Sequence, residues 1–313
     1  MIYLNLKDGL GNQLFEYAYA RWLQEQYGDD LCFNLYFFND PKRRSYSLNH
    51  FLLNENIKIL SDKKKKFVTF KFLLRLALVL KMDFVRWLRS TKRPKGEKIF
   101  SKLSSKGLYV SFEPFITYPF IKTKKRDKFI YGNFESEKYF PGMEKTLQKE
   151  LVIKTEPSTE NKKMIDELNS CNSVCLHIRR GDYLDPKWKM LHICNYEYYN
   201  RAVEEMKKRV PDCTFYVFSN NSEDIAWIKA NYKFDANIKY VDLNNPDYEE
   251  LRLMSCCKHF ILSNSSFSWW GSYLSPAENK VILAPDKWIL NENDEGIYRD
   301  SFIKVSTSNF FDL

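Results

Sequence analysis

The segment His177-Ile178-Arg179-Arg180-Gly181-Asp182 sets an imidazole, two guanidiniums and a carboxylate directly behind the apolar run Ser173 to Leu176. A guanidinium is a planar fork matched to phosphate oxygens and stays charged at any working pH, so this segment suits a phosphorylated ligand. Asp182 would fix one of the arginines; a salt-bridged loop without a ligand is the plain alternative. A second candidate is Ser263 to Ser272, SNSSFSWWGS, which follows an apolar stretch and leads into a helical pattern. Small hydroxyl and amide side chains at a helix start, together with backbone N–H groups, make an anion site, although ordinary capping by Ser265, Ser266 or Ser268 also explains them. Trp269 and Trp270 read as core. The third candidate is Gly9-Leu10-Gly11-Asn12-Gln13. It lacks the third glycine of a dinucleotide fingerprint, but Asn12 and Gln13 can hydrogen-bond a sugar or a phosphate.

Other chemistries find no residues to carry them. There is no GxxxxGK[ST] phosphate loop, no HExxH and no DxD pair, and the four histidines (His50, His177, His192, His259) are dispersed, so no metal and no cofactor is expected. Seven cysteines form no CxxC pair, and Cys256 and Cys257 are adjacent. Reduced, mostly buried thiols in a cytosolic chain are the expectation.

The candidate segments need rigid elements behind them. Ile2 to Leu6 reads as a strand, residues 8–11 as a turn and Asn12 to Gln26 as a helix, a first βα unit. Residues 31–38 and 129–134 read as further strands. The second half alternates more cleanly. Its strands are expected at 173–178, 214–218, 238–241, 259–262 and, last, 281–284; its helices at 196–209, 223–231, 247–257 and from Trp269 onward. Such alternation predicts α/β architecture with parallel sheets covered on both faces. Two such halves predict Rossmann-like domains with a ligand cleft between them, at the carboxyl ends of the strands. The polar stretch around Pro157 sets the expected domains at 1–155 and 156–313, with the last helix able to pack back on the first.

The chain has 313 residues, 44% hydrophobic and 16% aromatic, which supplies a sizeable core and rules out a disordered chain. Its net charge of +9 is concentrated. Residues 61–100 hold thirteen Lys/Arg against Asp62, Asp83 and Glu97, enough to account for all of it. The remainder is close to neutral, so a nucleic-acid-binding surface is not expected. The segment reads as a basic helical insertion in the first domain. At 100° per residue Lys71, Arg75, Arg86 and Arg89 fall within about 60° of one another, which suits either an interfacial helix on anionic lipid or a core-packed helix with a solvated basic stripe. Its apolar run, Phe67 to Leu80, is broken by Lys71 and Arg75 and is shorter than the ~20 residues a membrane span needs. No signal peptide is visible, and a cytoplasmic protein, peripheral on the membrane's inner face if the segment binds lipid, is the expectation.

Three segments converge on one family. GLGNQLFEYA (9–18), HIRRGDY (177–183) and LMSCCKHFILSNSSFSWWGSYLS (253–275), with ILAPDKWI (282–289) after it, resemble the bacterial-type α-1,2-fucosyltransferases in order and spacing. The basic segment falls outside that resemblance. The family implies a GT-B fold and an inverting, metal-independent transfer of L-fucose from GDP-β-L-fucose to the 2-hydroxyl of a terminal β-galactose, in surface polysaccharide or oligosaccharide synthesis. It implies that Arg179 holds the β-phosphate, with His177 and Asp182 as its neighbours. Asn264, Ser265, Ser266, Phe267 and Ser268 are implied near the diphosphate, Glu250 near the guanosine, and Gly11, Asn12 and Gln13 at the reaction centre. This chain departs from the usual GGLGNQ and FQYA at Asp8 and Glu16, and carries Asn220 and Asn221 where carboxylates are usual.

Chemistry asks for the same parts. Departing GDP gains negative charge, for which Arg179 is the best cation, and the galactose hydroxyl must lose a proton. Asp8, Glu16 and Asp182 are the options for the acceptor of that proton; a water relay is equally compatible. A different nucleotide-sugar donor or acceptor on the same fold is the first competing reading. A membrane- or polyanion-binding protein built on residues 61–100 is the second.

Overall fold

The computed structural model describes residues 1–88, 96–111, 113, 115–290 and 294–307. The chain forms two compact units, Met1–Thr146 and Leu147–Leu313. The division falls a little before the polar stretch at Pro157.

In the first unit, strands β1 (Ile2–Asn5), β2 (Leu31–Asn34), β3 (Ile57–Ile59), β4 (Leu108–Val110) and β5 (Lys128–Tyr131) make one parallel sheet in the order β3-β2-β1-β5-β4. Helices α1 (Leu10–Tyr27), α2 (Asp62–Leu88), α3 (Gly96–Ser105) and α4 (Glu144–Glu150) accompany it, α4 running across the unit boundary. The expected strand 31–38 ends at Asn34 and turns into a 3₁₀ segment, Tyr36–Asn39. Strands β3 and β4, three residues each, were not anticipated from the sequence.

The basic segment is not an appendage. Helix α2 lies on the path from β3 at one edge of the sheet to β4 at the other, and Val68 and Phe72 are buried with Cys32, Leu60, Leu103 and Phe129. Nor do Lys71 and Arg75 form a solvated stripe: Lys71 pairs with Asp127, and Arg75 donates to the Asp127 carbonyl at 3.0 Å. The side chain of Arg86, and Arg89 as a whole, lie outside the described residues.

In the second unit, α5 (Thr159–Ser170), β6 (Asn172–His177), α6 (Tyr196–Arg209), β7 (Cys213–Phe218), α7 (Ser222–Asn231), β8 (Ile238–Tyr240), α8 (Asp247–Ser255), β9 (His259–Ile261), α9 (Ser266–Leu274), β10 (Ile282–Pro285) and β11 (Phe302–Val305) alternate. All six strands are parallel, in the order β11-β10-β9-β6-β7-β8. Two Rossmann-like α/β units are thus observed, as the GT-B-like class requires. Two details differ from expectation. Helix α9 starts at Ser266, three residues before Trp269, because Ser265 caps it. Beyond it come β10 and a further, unanticipated strand, β11.

Both sheets reverse direction beside their first strand. From β1 the chain steps outward to β2 and β3, then reappears across β1 as β4 and β5. From β6 it steps to β7 and β8, then reappears across β6 as β9, β10 and β11. Such a switch point leaves a crevice at the carboxyl ends of the two divergent strands, where open α/β sheets bind ligands. The crevices fall at Lys7-Asp8 and Asn133-Glu135 in one unit, and at Arg179 and Ser263-Asn264 in the other.

Candidate active site

In the second unit, His177 ends β6 and is buried, its Nδ1 2.8 Å from Ser263 Oγ at the end of β9. Burial, helped by the neighbouring Arg179 charge, pushes the imidazole down to about 3, so it is neutral at working pH. It is therefore a strut across the switch point rather than a ligand cation. The two arginines then diverge. Arg180 is held by Asp224 at 3.4 Å and stacks over Trp227, 3.2 Å from the ring centroid. Arg179 lies over Tyr183 at 5.3 Å, and the Tyr183 hydroxyl donates to the Asn264 carbonyl at 2.9 Å. Tyr183 thus links the arginine to the loop that opens α9.

That loop sorts the predicted Asn264–Ser268 set. Asn264 Nδ2 donates to the carbonyls of Leu191 and Trp288, at 2.8 and 3.0 Å. Ser268 Oγ donates to the Ser263 and Ser265 carbonyls, and Ser265 Oγ accepts from the Phe267 N–H at 3.3 Å. All three are buried, and these bonds shape the turn. Ser266 and Phe267, half-buried, are the members that reach the surface, at the positive end of the helix dipole. Trp269 and Trp270 are fully buried.

The turn after Arg180 depends on one glycine. Gly181 has φ +45°, and a Cβ there would fall 1.8 Å from Asn220 Nδ2. Its N–H donates to Asp224 Oδ2 at 3.1 Å, and Asn221 Oδ1 accepts from the Asp224 N–H to cap α7. Asp224 thus fixes both Arg180 and the turn; the side chain of Asp182 lies outside the described residues. Asn221 serves as a cap, which needs no negative charge.

On α8, which packs against α9, two adjacent glutamates differ. Glu249 is committed to Arg252 at 3.2 Å and to Asn161 at 3.0 Å. Glu250 is half-buried, and burial pushes its carboxyl up to about 7 although Asn245 donates to it. It can switch between accepting and donating near neutral pH.

The first unit's crevice is built of charge. Lys7 Nζ donates to Asp8 and to Asn133, and Asn133 Nδ2 donates to Glu135 at 3.1 Å. The Lys7 N–H donates to Glu16 Oε2 at 3.0 Å, while Glu16 Oε1 is buried with no hydrogen-bond partner. Burial raises Glu16 well above the usual carboxylate range despite Lys7, because desolvating an ion costs several kcal/mol, more than one cation returns. Glu135 is pushed up to about 7 by the same cause. Asp8 keeps 38% of its side chain exposed and has φ +60°, left-handed backbone that glycine adopts freely. Gln13 is fully buried. It donates to the Asp8 and Ser45 carbonyls, both at 2.8 Å, and accepts from the Ser47 N–H at 3.0 Å. Its amide holds the turn that carries Asp8. Gly11 is buried in the first turn of α1 beside half-buried Asn12.

The profile of glycosyl transferase family 11 matches residues 1–305. The chain belongs to that family. The basic segment lies within those bounds, and its helix α2 packs in the first unit's core. This family 11 glycosyltransferase is similar to two Escherichia coli proteins. It is 28% identical to the O-antigen biosynthesis glycosyltransferase WbnK, over 97% of this chain and 100% of that one. It is 28% identical to an α-1,2-colitosyltransferase, over 93% of each. A galactoside 2-α-L-fucosyltransferase of Caenorhabditis elegans is 26% identical over 52% of this chain and 48% of its own length.

Several residues of this family 11 protein's crevices were assigned no role of their own from the sequence. Ser263, Tyr183 and Asp224 act through contacts made across strands. Glu135 follows a short β5 and bears no motif; only its place opposite Lys7 marks it. Among the described residues no group of three or more His, Cys, Asp or Glu could hold a metal ion.

Proposed function

We propose that this glycosyltransferase moves L-fucose from GDP-β-L-fucose to the 2-hydroxyl of a terminal β-galactose, with inversion and without a metal, in the assembly of a surface polysaccharide such as O-antigen. The observation that carries the reading is Arg179 at the second unit's switch point, joined through Tyr183 to the N-terminal turn of α9. In the transfer the sugar–phosphate bond breaks as the bond to the galactose oxygen forms, and GDP leaves with its bonding electrons. Arg179 and the α9 N–H groups lie where they can take up that charge. Glu250, when ionised, offers two acceptor oxygens to the N–H donors on a guanine edge.

The hydroxyl proton is assigned to Asp8. Glu16 is passed over as the acceptor because it is fully buried, with one oxygen accepting from the Lys7 N–H. Asp8 is partly exposed and is held by Lys7 and by the Gln13-braced turn.

A second donor is favoured by a specific relative, the colitosyltransferase. Colitose is fucose lacking the 3-hydroxyl. A site that hydrogen-bonds that hydroxyl discriminates against the deoxy sugar by as much as ~10⁴-fold, whereas an apolar pocket rejects the extra hydroxyl by only ~10²-fold. The deciding experiment incubates the protein with GDP-fucose and GDP-colitose over a panel of β-galactosides and determines the product linkage. Preference for a UDP-sugar, or a linkage other than α-1,2, defeats the reading; loss of activity with EDTA removes its metal-free part.

A further inference from the structure

Along residues 62–77, whose side chains are described, helix α2 has two apolar faces, and the fold buries one of them. Val68 and Phe72 are buried against the sheet, with Lys71 and Arg75 tied to Asp127 beside them. On the opposite side, Phe67 and Phe70 are each 64% exposed, Leu73 53% and Leu74 49%. At 100° per residue these four share an arc of about 120° with Lys63 and Lys66. Two Phe and two Leu on one outward arc are unlike the scattered apolar residues of an ordinary surface, and mark a face made to be covered.

The charge around it indicates by what. Lys63, Lys64 and Lys66 are exposed at the start of the helix, where Asp62 is already paired with Lys65 at 2.9 Å. The Asp127 that anchors Lys71 and Arg75 ends a loop whose Lys122, Lys124, Lys125 and Arg126 are also exposed. An apolar stripe bordered by lysines from two segments complements a layer with hydrocarbon beneath and negative headgroups above. We infer that the outward face of α2 seats this protein on an anionic lipid surface, with Phe67, Phe70, Leu73 and Leu74 entering the interface and the lysines meeting the headgroups. Among the described residues no helix is long and apolar enough to cross a membrane, so the contact is made in the plane of the surface. The inference does not depend on which sugar is transferred.

The test uses the full chain and vesicles of phosphatidylcholine, alone or with phosphatidylglycerol. The protein is expected to sediment with the anionic vesicles and to lose ~10-fold in partitioning between ~0.1 M and ~0.5 M salt. F67Q/F70Q should lower partitioning at least ~10-fold at either salt, with transfer to a water-soluble β-galactoside unchanged. K63Q/K64Q/K66Q should remove the preference for phosphatidylglycerol. Wild-type protein left in the supernatant with anionic vesicles overturns the inference, as does F67Q/F70Q sedimenting like wild type. So does a dimer that F67Q/F70Q dissociates in the absence of any vesicle binding, which would give the face to a second copy of the chain.

Discussion

The two switch points are alike in topology and opposite in chemistry. At the end of β6 the sheet's edges are stitched by neutral bonds, His177 to Ser263 and Tyr183 to Asn264, and Arg180 is already neutralised by Asp224. At the end of β1 the stitching is ionic, with Lys7 bridging Asp8 and Asn133 beside the raised carboxyls of Glu16 and Glu135. One crevice presents a guanidinium and a helix N-terminus, the other carboxyls whose protons burial holds more tightly. The fold supplies a location twice; the residues at each decide what it can do.

The strongest way to break this contrast is Arg179→Ala, expected to lower kcat/KM by ~10²–10³-fold, with Arg179→Lys failing to restore it because an ammonium lacks the bidentate fork. Full activity in the alanine variant would leave the second crevice without its anion-binding role. Asp8→Asn comes next, with kcat down ~10²-fold and donor binding kept, as removal of a proton acceptor requires. An unchanged kcat would instead point to a water relay. Glu250→Gln should weaken GDP binding ~10-fold in calorimetry above pH 8. Because the carboxyl titrates at about 7, wild-type affinity should rise as pH climbs through neutrality, and the variant should lose that rise. An identical pH profile in both proteins would remove Glu250 from the guanine site.

The smallest effect on activity is expected from Glu135→Gln, which bears on stability. Glu135 stays protonated in the native state up to about pH 7, against 4.5 for an ordinary glutamate. Between those values the native state binds more protons than the unfolded chain, so its contribution to stability is full below 4.5 and is lost as pH rises to 7. The glutamine variant should therefore gain on the order of 2–3 kcal/mol over wild type at pH 8, relative to their difference at pH 4, in urea unfolding. Equal differences at the two pH values would show that the carboxyl is not held protonated.

Much of the second unit was legible in advance. Its strands and helices alternate with clear punctuation, and the arginine that matters stands at the end of a six-residue apolar strand. The start of α9 slipped because Ser265 caps it, and β3, largely exposed on the sheet's edge, shows no buried apolar face to read. In the site, Gln13, Ser265 and Ser268 were identified as polar residues near ligand positions but turned out to be consumed by backbone groups. Hydrogen-bond supply depends on which carbonyls arrive from elsewhere in the chain, and local spacing does not record that.

The amino-acid sequence by itself determined the α/β class, the family and the identity of Arg179 as the cation to watch, because periodicity and contiguous motifs are local properties. Only the tertiary structure decided that Arg180 is held by Asp224, that burial raises the Glu16 carboxyl, that Glu135 belongs with Lys7 through Asn133, and that α2 ties Lys71 and Arg75 to Asp127 while two Phe and two Leu face out. Each of these depends on partners distant in the chain and on the loss of water around a charge, and both come into being when the sheets form.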